Sequence, residues 1–340
     1  MKNSGKCAAV AALTIFAPAI YAETFEVLSP PDAVFAYATV IRDTTVAGTL
    51  FTTDNVSLGF IFSPTDGYTS FAIPGATPDN GPQPTAIDGA GNVYGYFYDP
   101  DGGTRSFVRH TNGAVEAFSV DQPDVQFTQV SDGNRRGASV GMFSTDRTSG
   151  FLQGFKRSAA GVVRPLSYPG ATYLLPWSIN NHGEIAGAIG SEGPFPDRAF
   201  IRLETGEWRF FRGANGCAIG SLTLYLNNAR SVAGTCVVPP IVQRGYLRLK
   251  GGPTIVFSAP GATFTTTVAG IAENNDVAGN FQDASGDHGF IRRASGAFVI
   301  VDGPDSQPGT THITGISPQG DVVGTSSNSG GMSVFVRYED

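Results

Sequence analysis

Residues 178–187 read SINNHGEIAG, and variants of this segment recur along most of the chain. Each copy ends in a small or apolar residue followed by a glycine, and successive copies of that glycine lie 45 to 47 residues apart. The repeated glycines are Gly48, Gly95, Gly141, Gly187, Gly234, Gly279 and Gly324. A fixed period of this length is the signature of a repeat architecture.

Each repeat carries signals for four short strands. An apolar residue lies eight positions before most of the glycines, and the turn between them is rich in Asn, Asp and Gly, which predicts a β-hairpin. An aromatic residue follows each glycine by 11 to 14 positions, and a second glycine-bearing turn and a fourth strand come next. In the third repeat we place the apolar residue at Val130, which makes that turn three residues longer and adds Arg135 and Arg136 to it.

Four strands in a repeat of this length make one blade of a propeller. The sequence therefore predicts an all-β fold, a single seven-bladed β-propeller over residues 23–340. The last repeat stops one strand short, at 335–338, whereas residues 24–31 resemble the missing strand. We expect this N-terminal strand to complete the last blade and cover its open edge. The alternative, an open β-solenoid, would leave both ends bare without evident caps.

The repeat resembles that of extracellular proteins with HAF repeats, whose units carry Gly-Ile-Asn-Asn, then Gly-x-Val-Val-Gly, then His-Ala-Phe. Residues 178–187 followed by Arg198-Ala199-Phe200 form the most similar unit, and Asp287-His288-Gly289-Phe290 keeps the histidine. The resemblance covers nearly all of the chain after the leader and rests on structural residues. It implies export and a repeat architecture, and it implies no activity.

The N-terminus has the order of a secretory signal peptide. Lys2 and Lys6 precede an apolar run from Cys7 to Ile20, and cleavage is expected after Ala22, so that residues 1–22 form the leader. A short membrane anchor is the alternative, but about 14 apolar residues fall below the roughly 20 that span a bilayer. We therefore predict a secreted or periplasmic monomer with no integral membrane segment after cleavage.

Charge and cysteine content exclude some partners and predict one covalent link. The chain has 22 basic and 29 acidic residues, and loss of Lys2 and Lys6 makes it more acidic still. Nucleic-acid binding is not expected, because it requires a basic surface. Cys217 and Cys236 remain after the leader is removed, and an even pair in an oxidising compartment predicts a disulfide. Two unpaired buried thiols are the alternative.

Motifs for catalysis, metal binding and cofactor binding are absent from the sequence. It contains no Gly-x-Ser-x-Gly, no phosphate-binding loop, no His-Glu-x-x-His and no Cys-x-x-Cys. The four histidines, at 110, 182, 288 and 312, lack metal-ligand spacing, and the acidic loops at 99–102 and 283–287 fall short of a calcium loop. No metal and no cofactor is therefore expected, and no catalytic residue is assigned.

Positions where the units differ from their own repeat are the best candidates for a binding site, since packing alone would keep the repeat regular. If the first strand of each unit is innermost, the residues four positions before its last apolar residue would ring an axial channel. They are Tyr37, Gln83, Gln126, Leu175, Leu222, Thr267 and His312. We take the polar members Tyr37, Gln83, Gln126 and His312 as candidate ligand-binding residues. Trp177 would add a stacking face, and Arg135 and Arg136 a cationic rim, suited to sugars or anionic polymers.

Two functional hypotheses follow. The first is an exported binding or interaction module that uses one face of the propeller for a glycan or a partner protein. The alternative is a carbohydrate-active enzyme, a polysaccharide lyase or glycoside hydrolase, with its site in the axial cleft. A purely structural role would predict neither binding nor turnover.

Overall fold

The computed structural model describes residues 24–146, 151–191, 198–214, 216–218 and 223–339. The predicted signal peptide lies outside the described residues. Within those ranges the chain contains 28 β-strands and no helix, which confirms the all-β prediction. Accordingly, no helix in the described part is long and apolar enough to cross a bilayer.

The strands fall into seven units that follow the sequence repeat. The chain begins with β1 (Thr24–Leu28). Unit 1 contains β2 (Ala33–Arg42), β3 (Thr45–Thr52), β4 (Ser57–Ser63) and β5 (Gly67–Phe71). Unit 2 contains β6 (Gln83–Ile87), β7 (Val93–Tyr98), β8 (Thr104–Arg109) and β9 (Val115–Phe118). Unit 3 contains β10 (Phe127–Gly133), β11 (Ser139–Ser144), β12 (Gln153–Arg157) and β13 (Val163–Leu166).

The later units also contain four strands each. Unit 4 contains β14 (Tyr173–Ile179), β15 (Ile185–Gly190), β16 (Arg198–Arg202) and β17 (Trp208–Phe211). Unit 5 contains β18 (Leu224–Leu226), β19 (Val232–Val238), β20 (Val242–Arg248) and β21 (Thr254–Phe257). Unit 6 contains β22 (Thr266–Ile271), β23 (Val277–Gln282), β24 (Asp287–Arg292) and β25 (Phe298–Val301). Unit 7 contains β26 (His312–Ile316), β27 (Val322–Asn328), β28 (Gly331–Tyr338) and, from the start of the chain, β1.

Within each unit, neighbouring strands pair antiparallel and in chain order. In unit 7 the order is β1-β28-β27-β26, and β1 pairs with β28 from Thr24↔Tyr338 to Leu28↔Val334. Units 2 and 3 are joined into one larger sheet by a single parallel pair, Phe127↔Thr104. The N-terminal strand therefore supplies the fourth strand of the last unit.

The first strand of each unit contacts the first strand of the next. Strand β2 contacts β6 and β26, and the other contacts are β6 with β10, β10 with β14, β14 with β18, β18 with β22, and β22 with β26. The apolar cores lie between neighbouring units, as where Ala47 and Phe71 of unit 1 pack with Ile87 and Phe107 of unit 2. The first strands are thus the inner strands, as the sequence interpretation assumed.

The repeated glycine and the repeated aromatic residue are cross-strand partners. Gly187 pairs with Phe200, whose side chain is fully buried. A Cβ at Gly187 would lie 2.2 Å from the Leu175 carbonyl oxygen and 2.8 Å from the Phe200 ring. Because contacts this close would force the sheet apart, only glycine fits, which explains why it recurs with the aromatic residue.

Six inner strands contain a β-bulge near their last residue, two residues before it in five strands and three residues before it in β2. The unpaired residues are Thr39, Thr85, Ser131, Trp177, Ala269 and Thr314. Strand β18 of unit 5 has continuous pairing instead, with Leu224 opposite Gly234. A bulge re-aims the side chain of the extra residue, and here all six residues line one cavity.

The predicted register of unit 3 is wrong. Gly133 pairs with Ser139 where unit 4 pairs Ile179 with Ile185, so the last residue of the inner strand is Gly133 and not Val130. This position is apolar in the other six units but is a glycine in unit 3, which displaced the predicted strand end to Val130. The turn that follows is no longer than its counterpart in unit 4, and Arg135 and Arg136 are ordinary members of it.

In each unit, the residue that corresponds to the predicted ring position is the one whose carbonyl oxygen faces the repeated glycine. These oxygens belong to Tyr37, Gln83, Gln129, Leu175, Thr223, Thr267 and His312. Two members therefore differ from the predicted set. Gln129 replaces Gln126 because of the register of unit 3. In unit 5 the position belongs to Thr223, since β18 lacks the bulge, and the predicted Leu222 lies outside the described residues.

The predicted disulfide is confirmed. Cys217 and Cys236 are bonded, with their Cα atoms 5.5 Å apart. The bond ties the segment before β18 to strand β19, and Ala218 forms a bridge with Val237 beside it. In the chain-entropy picture, closing a loop of this size stabilises the fold by about 3 kcal/mol.

Candidate ligand-binding site

A cavity of about 370 Å³ lies between the inner strands. Every unit contributes to its wall, and the bulge residues form its central belt. One end, here called the strand-start end, lies where the inner strands begin and is lined by Gln83 and Gln129. The other, the turn end, lies where these strands pass into their turns and is lined by Asn180, Asn227 and Glu273.

Three bulge residues on consecutive units leave a polar atom without a partner. Thr85 Oγ1, Ser131 Oγ and Trp177 Nε1 are buried and have no hydrogen-bond partner among the described residues. By contrast, Thr39 Oγ1 donates to the Pro84 carbonyl at 2.7 Å. An unpaired buried polar atom costs about 1–3 kcal/mol, so such atoms call for an explanation. Units 2 to 4 thus place three residues with unsatisfied polar atoms along one side of the cavity.

Arg42 and Asp132 join Glu273 as charged residues in the wall near the turn end. Arg42 of unit 1 donates to the Gly133 carbonyl of unit 3 at 3.2 Å, and burial lowers its pKa. Asp132 accepts hydrogen bonds from Ser178 Oγ at 2.8 Å and from the Ile179 amide at 2.9 Å. Burial raises the pKa of Asp132, while these hydrogen bonds and Arg42 oppose the shift. The pair holds units 1, 3 and 4 together across the cavity.

The predicted site residues divide between the cavity and other places. Gln83 and Trp177 line the cavity. Tyr37 lies beside it, because its hydroxyl donates to Gln83 Oε1 at 2.7 Å. Gln126 lies instead in a separate surface groove with Asp99 and Arg105.

The remaining predicted residues lie away from the cavity wall. Arg135 and Arg136 are exposed in the turn of unit 3, where Arg135 pairs with Asp43 and its amide donates to Asn181 Oδ1. His312 is exposed at the start of β26, yet desolvation of its ring lowers its pKa, with Asp287 opposing the shift. The two arginines and His312 are therefore at opposite ends of the inner strands, and the structure does not bring them together.

Asparagines at one position of three consecutive units hold the turns together. Asn180 Oδ1 accepts from the amides of His182 and Glu184, both at 3.0 Å, and Asn180 Nδ2 donates to the Asn227 carbonyl in the next unit at 3.2 Å. Asn134 and Asn227 make the same kind of bond, to the carbonyls of Asn180 and Ala272. The Asn-Asn motif is therefore a structural link between units and leaves few free atoms for a ligand.

A Ser-His-Asp cluster that no sequence motif indicated lies on unit 6. His288 Nε2 is 2.9 Å from Ser285 Oγ, and His288 Nδ1 is 2.8 Å from Asp302 Oδ1. These are the distances of a hydrolase triad, but Ser285 Oγ also donates to Asp283 Oδ1 at 2.7 Å. A hydroxyl has one proton, so Ser285 accepts from His288 and is not activated as a nucleophile. The cluster ties a hairpin to the end of β25.

No group of three or more His, Cys, Asp or Glu side chains in the described part of the chain is arranged to hold a metal ion. Sequence reasoning missed Thr85 and Ser131 as cavity residues. A signal was available, since Thr39, Thr85 and Ser131 are hydroxyl residues at the equivalent position of the first strands of units 1 to 3. That position was overlooked because a bulge has no fixed sequence signature.

Comparison with known proteins establishes the fold. No family model matches the chain, and no curated protein matches it in sequence. A solved streptogramin B lyase is 14% identical with a TM-score of 0.58, over 93% of this chain and 98% of the lyase. Virginiamycin B lyase from Staphylococcus aureus is 11% identical with a TM-score of 0.58, over 94% and 100%. The BP39L lectin from Burkholderia pseudomallei is 11% identical with a TM-score of 0.54, over 89% and 94%. The chain thus has a β-propeller fold.

Proposed function

We propose that the protein is an exported binding module whose axial cavity holds a neutral sugar, such as the end of a glycan. The observation that carries this proposal is the set of three unpartnered polar atoms, Thr85 Oγ1, Ser131 Oγ and Trp177 Nε1, on one side of the cavity. If these side chains turn their polar atoms toward the cavity, the hydroxyls of a bound group would satisfy all three, because a hydroxyl both donates and accepts.

We also propose that the fold has seven blades. Each of the seven units is one blade, and the last blade consists of β26, β27, β28 and the N-terminal strand β1. The contacts between successive inner strands and the pairing of β1 with β28 support this arrangement. The HAF-like order of residues belongs to the same proposal, since its Asn, Gly and aromatic positions are the ones that join units and strands.

The cavity suits a small neutral ligand. Its volume lies near the lower end of the range for ligand pockets, and Trp177 offers both an apolar face and a donor. Arg42 already donates to a backbone carbonyl, and Asp132 and Glu273 add negative charge to the wall. A neutral ligand is therefore favoured over an anionic one.

An exported location is supported by two observations. The disulfide between Cys217 and Cys236 requires an oxidising compartment for its persistence. The leader predicted over residues 1–22 provides the route, and the acidic charge suits a soluble extracellular or periplasmic protein.

A lectin and two lyases share this fold, so both binding and catalysis occur on it. The chemistry of the cavity favours binding. The carboxylate of Asp132 already accepts from Ser178, Ile179 and the Gly133 amide, which leaves it poorly placed to transfer a proton. Burial and the nearby Asp132 raise the pKa of Tyr225 to about 12, so it is a poor base at neutral pH.

The test is a calorimetric binding screen of the purified protein against neutral and anionic oligosaccharides, with product release measured in parallel. We expect binding of a neutral sugar without new reducing ends or unsaturated products. Trp177→Ala should weaken that binding about tenfold or more, through loss of stacking and of one hydrogen bond. The matched control is Trp208→Ala, since the only other tryptophan packs against Tyr168 and Phe200 in an outer strand. Turnover of any member of the panel would instead favour the enzyme hypothesis.

A further inference from the structure

Aromatic side chains cluster at the strand-start end of the cavity on unit 1. The ring centroids of Phe35 and Phe51 are 5.7 Å apart, and that of Tyr37 lies 5.9 Å from Phe35 and 6.3 Å from Phe51. All three residues are half-buried, so each keeps part of its ring exposed to solvent. Rings in mutual contact with exposed faces form a preorganised apolar surface.

A second aromatic pair on unit 2 continues this surface to the cavity. Tyr96 and Tyr98 are also half-buried, with centroids 5.9 Å apart, and Tyr96 lines the cavity. Gln83 lies between the two groups, because it accepts a hydrogen bond from Tyr37 and pairs across strands with Tyr96. Gln83 therefore links the two aromatic groups, and Tyr96 extends the second group to the cavity wall.

Two of these aromatic residues break the repeat. Phe51 and Tyr98 lie three positions after the repeated glycine, and the other units have no aromatic residue there. Their counterparts are Ser144, Gly190, Val237, Gln282 and Ser327. Five units build the same sheet without an aromatic ring at this position, so packing does not demand one.

We propose that Phe35, Tyr37, Phe51, Tyr96 and Tyr98 form an aromatic platform that binds further residues of a neutral oligosaccharide whose end occupies the cavity. This inference rests on the proposed function. Sugar rings present apolar C–H faces that pack on aromatic rings, and their hydroxyls can bond the tyrosine hydroxyls. Burial, with Tyr98 and Tyr37 nearby, raises the pKa of Tyr96 to about 12, so this hydroxyl stays protonated as a donor. None of the five residues is charged, which selects a neutral chain.

The test is the dependence of affinity on chain length. Cello-, manno- and chito-oligosaccharides of one to six residues are titrated into the purified protein by calorimetry. We expect about a tenfold gain in affinity from one residue to three or more, in the series that binds. The double variant Phe51→Ala/Tyr98→Ala should lose this gain and keep the affinity for the single sugar. Gln282→Ala, the equivalent position in unit 6, should keep the gain.

The outcomes separate the two proposals. If no member of the three series binds, the proposed function is contradicted, and so is the platform. Binding of a single sugar without a gain for longer chains overturns the platform alone, as does a gain that survives in the double variant. Retained affinity of the double variant for the single sugar shows that it is folded, and Tyr98→Phe, which keeps the ring, should keep most of the gain. The platform would also be overturned if a protein partner bound in a manner that requires Phe51 while oligosaccharide affinity did not change with chain length.

Discussion

The two ends of the inner strands differ in how they use their polar groups. At the turn end, Asn134, Asn180 and Asn227 occupy one position in three consecutive units, and their amides bond the next unit. Toward the strand-start end and the central belt the residues vary from unit to unit, and Thr85 and Ser131 keep unpartnered atoms. In a repeat protein, regular positions serve assembly, and irregular ones are the candidates for function. Stability and binding should therefore respond to different substitutions.

The largest effect is expected at the turn end. Asn180→Ala removes an acceptor for two amides and a donor to the next unit, so we expect the free energy of unfolding to fall by about 3 kcal/mol. Denaturant unfolding measures it. Gln83→Ala at the strand-start end is the comparison, with an expected loss below about 1 kcal/mol. Equal losses at the two positions would remove the distinction between the ends.

A smaller effect distinguishes two threonines of the central belt. Thr39 Oγ1 donates to the Pro84 carbonyl, whereas Thr85 Oγ1 has no partner in the described residues. Thr39→Val should cost about 1 kcal/mol of stability and leave sugar affinity unchanged. Thr85→Val should leave stability unchanged and weaken sugar binding about tenfold. Unfolding and calorimetry on both variants test this, and the reverse pattern would contradict it.

The smallest effect is a pH dependence of the free energy of unfolding that arises from Glu184 at the turn end. Burial acts to raise the pKa of Glu184, but hydrogen bonds from Arg230 and Asn180 outweigh it and lower the pKa. A lowered folded-state pKa gives stability that is present above the unfolded value of about 4.3 and is lost as the pH falls through the folded value. Unfolding free energy should therefore decline in acid below about pH 4.

Glu184→Gln should remove part of that decline. Glu207→Gln is the control, because Glu207 is exposed and its bond to Arg209 is screened by solvent. Unfolding curves between pH 3 and pH 7 would detect the difference. An identical acid decline in wild type and Glu184→Gln would show that this carboxylate is not involved.

Much of the fold was predictable because the repeat constrains it. The spacing of the glycines indicated the units, and the likeness of residues 24–31 to a fourth strand indicated the pairing of β1 with β28. The Cys217–Cys236 bond followed from an even pair of cysteines. These features depend on periodicity and composition, both of which a single sequence displays.

The site was less predictable, since it depends on local departures from the repeat. The bulges that aim Thr85 and Ser131 into the cavity add one residue without any characteristic residue type. Gly133 at a position that is elsewhere apolar displaced the predicted register, so Gln126 was named where Gln129 lies. Trp177 was found because an unusual residue type stands out even when its orientation is unknown.

A crystal structure of the protein soaked with a neutral sugar from the binding screen tests the central claim most directly. We predict density for the sugar in the axial cavity, with its hydroxyls within hydrogen-bond distance of Thr85 Oγ1, Ser131 Oγ and Trp177 Nε1. Sugar density elsewhere, such as in the groove at Gln126, with those three atoms bonded only to water, would contradict the account.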